Sequence, residues 1–173
     1  NFLAASNDVR FTEQADLNPG RESNLRQSSI AGGLHYRSQW SERFRTTLTA
    51  YNTDYMLRAT NANIEQQQRF LQENNVSETG IRIQAEHNVL RTSRLSGGYQ
   101  YTETKVSDLD DVDNPVFRRS EGNLMRSHAL FSEWVLASRN RSTRLQAGVR
   151  GTFLEQLERY LAEPRLSFSQ QFL

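Results

Sequence analysis

The chain has 173 residues, 36% hydrophobic and 24% charged, with a formal net charge of +1 and no cysteine; its mean hydropathy is -0.75. Near-neutral charge excludes a global field that would gather nucleic acid or an acidic membrane surface, and the missing thiols exclude disulfides and thiolate metal sites. No run of about 18 apolar residues occurs, so no transmembrane helix is encoded.

The length fits one domain or a piece of a larger one. Such polarity would suit a disordered chain, but nine Phe, six Tyr and two Trp fall largely within alternating segments, and disordered chains lack that pattern. Lys105 is the only lysine among 21 basic residues. Guanidinium pairs bidentately with carboxylates and suits a crowded wall of mixed charge, although codon bias would give the same count. The beginning, Asn1-Phe2-Leu3-Ala4-Ala5-Ser6-Asn7-Asp8, lacks the basic and apolar regions of a signal peptide, so the expectation is a mature or truncated chain.

Residues 1–27 read as a loop or partial strand, with a turn at Asn18-Pro19-Gly20 and at most a short extended piece around Val9 and Phe11. Residues 28–173 predict about seven antiparallel strands. The first is Ser28 to Trp40, with Ile30, Gly32, Leu34, Tyr36 and Trp40 on one face. After a tight turn at Ser41-Glu42, a second runs from Arg43 to about Leu57, and its alternation blurs beyond Tyr51. Residues 58–75 read as a polar connection in which Ile64, Gln68 and Leu71 could line a short helix.

The clearest stretch is the hairpin from Ile81 to Thr102, turning at Arg91-Thr92-Ser93. Successive side chains of a strand point to opposite faces, so Ile81, Ile83, Ala85 and His87 share one surface and Arg82, Gln84, Glu86 and Asn88 the other. On the return strand Leu95, Gly97, Tyr99 and Tyr101 oppose Arg94, Ser96, Gly98, Gln100 and Thr102. A second connection is expected over Ser107 to Gly122, and then strands Asn123 to Ala137, Thr143 to Gln156 and Tyr160 to Leu173. In Asn123 to Ala137, two apolar sets compete, and the faces cannot be assigned from alternation.

The tight turns near 41–42, 91–93 and 139–141 recur about every 50 residues, with longer connections expected between them. Short turns at one end and longer loops at the other are the pattern of transmembrane barrels. Most strands also exceed the roughly 5–6 residues usual in soluble sheets, and a spanning strand needs about 9–11. Aromatics fall toward both ends: Trp40, Phe44, Trp134 and Phe172 near the tight turns, and Tyr51, Tyr55, Tyr99, Tyr101, Phe153 and Tyr160 toward the other end. Rings with a polar tip concentrate at membrane boundaries, although aromatics also simply favour strands. The fold class expected is therefore all-β, an antiparallel meander of long hairpins forming part of a transmembrane β-barrel.

The closing run Tyr160-Leu161-Ala162-Glu163-Pro164-Arg165-Leu166-Ser167-Phe168-Ser169 resembles the Glu-Pro-Arg-Leu-Ser segment that begins a descending barrel strand in TonB-dependent outer-membrane receptors. Gln146-Ala147-Gly148-Val149-Arg150-Gly151 and Ser96-Gly97-Gly98-Tyr99 fit the same barrel style. The resemblance implies a closed barrel of about 22 strands around a plug, located in the cell outer membrane and importing a scarce ligand with energy passed through TonB. The sequence departs from that family in showing neither a plug-like domain nor a TonB-contact box, and about seven strands cannot close so wide a barrel. The expectation is a middle segment, about a third of the barrel, whose partners are outer-membrane lipid, the remaining barrel and plug, and TonB through a part not present in this sequence. A small self-contained barrel of eight strands and a soluble β-meander holding an apolar ligand are the alternatives.

Candidate chemistry is thin. The acidic stretch Asp108-Leu109-Asp110-Asp111-Val112-Asp113-Asn114 invites calcium but lacks the Gly and Glu positions of an EF-hand. His35, His87 and His128 lie on separate strands, so no metal is expected. No nucleophile elbow, phosphate loop or zinc-protease motif occurs; the chain is read as no enzyme, with no cofactor, no catalytic residue and an unknown ligand site. The polar-face row Arg82, Glu86, Arg94, Arg144, Arg150 and Arg165 could guide an anionic ligand or contact a plug, or consist of charges paired along a wet wall, as barrel interiors ordinarily do.

Overall fold

The computed structural model describes the backbone of residues 2–14, 21–63, 67–140 and 142–171, and side chains within those ranges from residue 23 onward. Eight strands follow one another: β1 Phe2–Gln14, β2 Arg21–Gln39, β3 Phe44–Asn63, β4 Gln68–Leu90, β5 Ser93–Val112, β6 Phe117–Ala137, β7 Thr143–Leu154 and β8 Arg159–Gln170. A single 3-10 turn, Glu155–Leu157, joins the last two. Each strand pairs antiparallel with the next, giving one sheet in the order β1 to β8. The fold is an all-β antiparallel meander.

Three expectations change. The stretch read as a loop or partial strand at residues 1–27 contains all of β1 and the beginning of β2, which pair from Phe2↔Leu34 to Gln14↔Glu22, so there are eight strands rather than about seven. The turn at Asn18-Pro19-Gly20 lies outside the described residues. Residues 58–63 and 68–75 are strand rather than loop or helix: β3 runs on to Asn63 and β4 starts at Gln68, and the ladder continues through Arg58↔Glu73 to Asn63↔Gln68. Gln68 and Leu71 are in β4, while Ile64 lies outside the described residues. Residues 107–122 behave likewise, with Ser107↔Gly122 through Val112↔Phe117 paired in the β5–β6 hairpin. The described connection between β5 and β6, at 113–116, is therefore also a tight turn. What differs between the ends is how far the strands reach.

Residues facing each other across a ladder share a face, so the register sorts every strand at once. One row crosses seven strands as Leu34, Ala50, Ile81, Tyr101, His128, Phe153 and Tyr160. Six residues along, still on this face, another reads Phe44, His87, Leu95, Trp134, Ala147 and Leu166. Between these rows the opposite face carries Arg45, Glu86, Ser96, Glu133, Gly148 and Arg165. The unresolved strand is thereby settled: Leu130, Trp134 and Leu136 belong to the apolar face, Ala129, Phe131 and Val135 to the polar one.

The apolar rows form a slanted band. On β2 it begins at Ile30, which aligns through Asp54 with Ser77, whereas at β8 it continues to Phe168, which aligns through Leu145 and Leu136 with Ser93. A level band drawn across strands in this way requires the strands to tilt, as barrel strands do by roughly 35–45°.

No dry centre exists among the described residues. Ala129 and Val135 are the only buried hydrophobic side chains. The accessible surface is 13139 Å², against about 8,700 Å² for a compact monomer of this mass. Hydrophobic burial inside the chain is therefore not what this sheet is built around.

Candidate functional surfaces: an apolar band and a polar wall

In a soluble sheet the apolar face is covered and the polar face is wet; here the exposure is the reverse. Ala129 is 2% exposed while Leu130, its neighbour on the other face, is 67% exposed. On the same outer face Trp134, Leu166 and Tyr160 are 50%, 78% and 81% exposed. Ile30, Leu34, Tyr36, Ile81, Ile83, Leu95, Leu145, Val149 and Phe168 are also exposed there.

The polar face is the crowded one. Arg150 Nη1 donates to Gln100 Oε1 at 3.4 Å, reaching from β7 to β5 across β6, and the Arg82 guanidinium lies 4.7 Å from the Phe131 ring centre, reaching from β4 to β6 across β5. Side chains that meet over an intervening strand belong to the concave side of a curled sheet. Two glycines make room for this. Tyr51 lies across Gly80, and Phe131 across Gly98. Tyr51 Oη donates to Glu78 Oε1 at 2.8 Å.

All six residues expected on the polar wall are there, because the parity of the hairpins carries through the register. Their partners favour paired charges along a wet wall. Glu86 is bound by Arg45 and accepts from Gln84 at 3.1 Å. Arg150 and Arg165 both approach Glu163, at 3.9 and 3.4 Å, and Arg144 donates to Gln146, which donates on to Glu133 at 2.8 Å. Arg94 borders a recess near the tight turns with Arg43, Arg91 and Arg144.

The aromatics divide more finely than position along the chain suggests. Tyr51 and Tyr55 stand on the polar face and do not contribute to an outer belt. Tyr99, Tyr101, Phe153 and Tyr160 do, with His128 among them. Phe153 stacks on Tyr160 at 4.6 Å, and Tyr101 and His128 rings are 5.2 Å apart. Immediately beyond this row comes charge: Glu103 accepts from Tyr101 at 2.9 Å and from Arg126 at 2.7 Å, and Glu155 approaches Arg126 at 3.5 Å and His128 at 3.3 Å. At the tight-turn end the two indoles have partners, Trp134 donating to Ser93 at 2.8 Å and Trp40 to Thr46 at 2.7 Å. Phe172 lies outside the described residues.

Counting outward from the turn at Arg91-Thr92 would have placed Tyr101 beside Arg82; a register shift between Asn88 and Leu90 sets it against Ile81. No signal in the sequence linked it to His128, Phe153 and Tyr160, because the turn lengths on either side of β6 were unknown.

Beyond the charged row, β2 to β6 project with both faces mostly polar. Arg58 faces Glu73 there, its Nε donating at 2.8 Å. Asn75, which donates at 2.9 Å, and then Arg58 hold the Glu73 carboxyl below the usual carboxylate range. The acidic stretch spreads along the end of β5: Asp108 and Asp110 face one way and Asp111 the other, while Asp113 pairs with Arg69 at 3.2 Å. The extended backbone keeps these carboxylates from converging on one point. His35 and His87 stand on opposite faces, at Thr49 and Phe44 respectively. Among the described residues no group of three His, Asp or Glu is placed to hold a metal ion, and no helix is long and apolar enough to cross a membrane.

Neither protein-family models nor curated proteins give a match to this sequence.

Proposed function

We propose that this chain is a segment of an outer-membrane β-barrel receptor that imports a scarce ligand by TonB-coupled transport. The observation that carries the membrane half is the exposure of large apolar side chains on one continuous face, backed by a hydrogen-bonded polar wall on the other. Lipid tails satisfy such a face, and an aqueous lumen satisfies such a wall. A soluble meander with an apolar interior requires the opposite sorting of Ala129 and Leu130.

The segment reading is supported by the edges of the sheet. Among the described residues β1 and β8 pair only with β2 and β7, and every residue of β8 is exposed. In hydrocarbon an unpaired strand edge leaves backbone groups without partners at several kcal/mol each, so further strands must complete the wall. Eight strands is an even number, which suits a small barrel, but closure would need β1 to pair with β8. The receptor half rests on the resemblance of Glu163-Pro164-Arg165-Leu166-Ser167, which lies within β8.

Cysteine substitution tests the membrane half directly, because the chain has no native thiol. Spin labels at Leu130, Ser132 and Trp134 should collide with lipid-dissolved oxygen, and labels at Phe131 and Glu133 with an aqueous nickel chelate. Equal accessibility on both sets would refute it. Energised uptake that persists without TonB would refute the transport half.

A further inference from the structure

On its concave face the wall has a recess of about 280 Å³ lined by Arg82, Ser96, Phe131, Glu133, Arg150 and Arg165. That approaches the roughly 300 Å³ at which small-ligand pockets begin. Two glycines open it. Gly98 separates Gln84 from Phe131 in one register row, and Gly148 separates Glu133 from Arg165 in another, so neither place carries a side chain to fill the floor.

Elsewhere on the sheet arginines meet carboxylates closely: Arg58 to Glu73 at 2.8 Å, Arg126 to Glu103 at 2.7 Å and Arg119 to Glu121 at 2.6 Å. Around the recess the contacts are longer. Arg150 and Arg165 share one carboxylate, Glu163, at 3.9 and 3.4 Å. Arg82 donates to Gln84 at 3.1 Å and lies over the Phe131 ring, and no carboxylate among the described residues pairs with it. Glu133 is engaged by Gln146 at 2.8 Å. Three guanidiniums thus face two carboxylates, which leaves positive charge in excess on planar donor groups suited to an oxyanion.

A second observation points the same way. Ser96 is 7% exposed, yet its hydroxyl makes no hydrogen bond with any described residue. Buried hydroxyls ordinarily have a partner, and this residue lies on the recess wall.

We infer that the recess binds an oxyanion, a phosphate or carboxylate group carried by the transported ligand. The guanidiniums of Arg82, Arg150 and Arg165 donate to its oxygens from β4, β7 and β8, and Ser96 donates its hydroxyl proton from β5. A cation is repelled by the excess charge, and a neutral ligand leaves that charge unmet. The inference gives a chemical class to the ligand of the receptor reading above and rests on that reading.

The test is isothermal titration calorimetry of the full-length protein in detergent, at constant ionic strength, with inorganic phosphate, succinate and choline chloride. Phosphate and succinate should bind, and choline should not. Ser96→Ala should weaken phosphate binding about tenfold, the scale of one hydrogen bond to a charged group. The same substitution should leave the unfolding midpoint unchanged, because the hydroxyl has no partner among the described residues. Arg82→Gln should weaken phosphate binding by about as much. Arg119→Gln, which removes a guanidinium held by Glu121 on the projection, should leave it intact. No binding of either anion, or an affinity that Ser96→Ala and Arg82→Gln both leave unchanged, would overturn the assignment. Spin-label alternation between positions 130 and 131 in the same protein separates the two readings: alternation without anion binding sinks only the oxyanion site, and absent alternation sinks the membrane reading beneath it.

Discussion

Gly98 and Gly80 look alike in the sequence and are held by different constraints. A Cβ at Gly98 would fall 2.2 Å from the Ile83 carbonyl oxygen and 2.8 Å from Phe131 Cζ; the first contact is backbone and cannot swing away. At Gly80 the nearest atoms, at 2.3 Å, belong to the ring of Tyr51, which can turn aside if its hydrogen bond to Glu78 is given up. Gly98→Ala should therefore cost about 1–3 kcal/mol as an overpacked site, and Gly80→Ala about 0.5–1.5 kcal/mol, the worth of one hydrogen bond. Chemical unfolding in detergent micelles measures both, and equal costs would show that the Ile83 carbonyl is not the obstacle. Glu73 adds a pH-dependent test at this scale. Its folded carboxyl titrates below its unfolded value because Asn75 and Arg58 favour the charged form. That contribution is present above the unfolded value, about 4.3, and is lost as pH falls through the lower folded value. Amide-exchange protection beside Arg58 and Glu73 should drop across that acidic window, and Glu73→Gln should remove the step.

Strands of this chain obey two environments along their length. Over the band they alternate, one face apolar and the other polar. Over the projection both faces are wet, and nothing in the pattern separates a strand from a loop. That is why the hairpin at Ile81 to Thr102 is legible and residues 58–75 and 107–122 are not: their ladder is held by backbone pairing and cross-strand pairs such as Arg58–Glu73 and Arg69–Asp113, contacts between residues distant in sequence. β6 fails differently. Ala129, Phe131 and Val135 are apolar residues on the polar face, where small size or a covering ring suits the crowded concave side, so the alternation cancels and only pairing with β5 and β7 decides it. At this scale the proposed membrane placement requires that Leu130→Arg, in the outward row, destabilise the lipid-inserted fold by about 2–4 kcal/mol. Gln100→Arg, on the wall, should cost less, about 0.5–1.5 kcal/mol, the worth of the hydrogen bond it gives up to Arg150. Folding titrations in lipid vesicles give both values, and similar penalties on the two faces would contradict the assignment of faces.

For the whole molecule, the decisive facts are the excess of surface and the two open edges. A sheet without an internal core gains its stability from what lies against it. On the proposed reading, the chain held without lipid and without neighbouring strands should self-associate through β8 and its outer apolar face. Light scattering after detergent removal should show polydisperse species, and a stable detergent-free monomer would contradict this. Addition of detergent should restore a defined particle.

From residue order alone came the β class, the tight turns, the two-faced character of the central strands and the polar placement of Arg82, Glu86, Arg94, Arg144, Arg150 and Arg165. Each of these depends on a local period of two, which the chain carries within any few residues. The eighth strand, the reach of the projections and the row from Tyr101 to Tyr160 were decided only in three dimensions. They depend on which residue lies opposite which across neighbouring strands, and that register is a property of the assembled sheet.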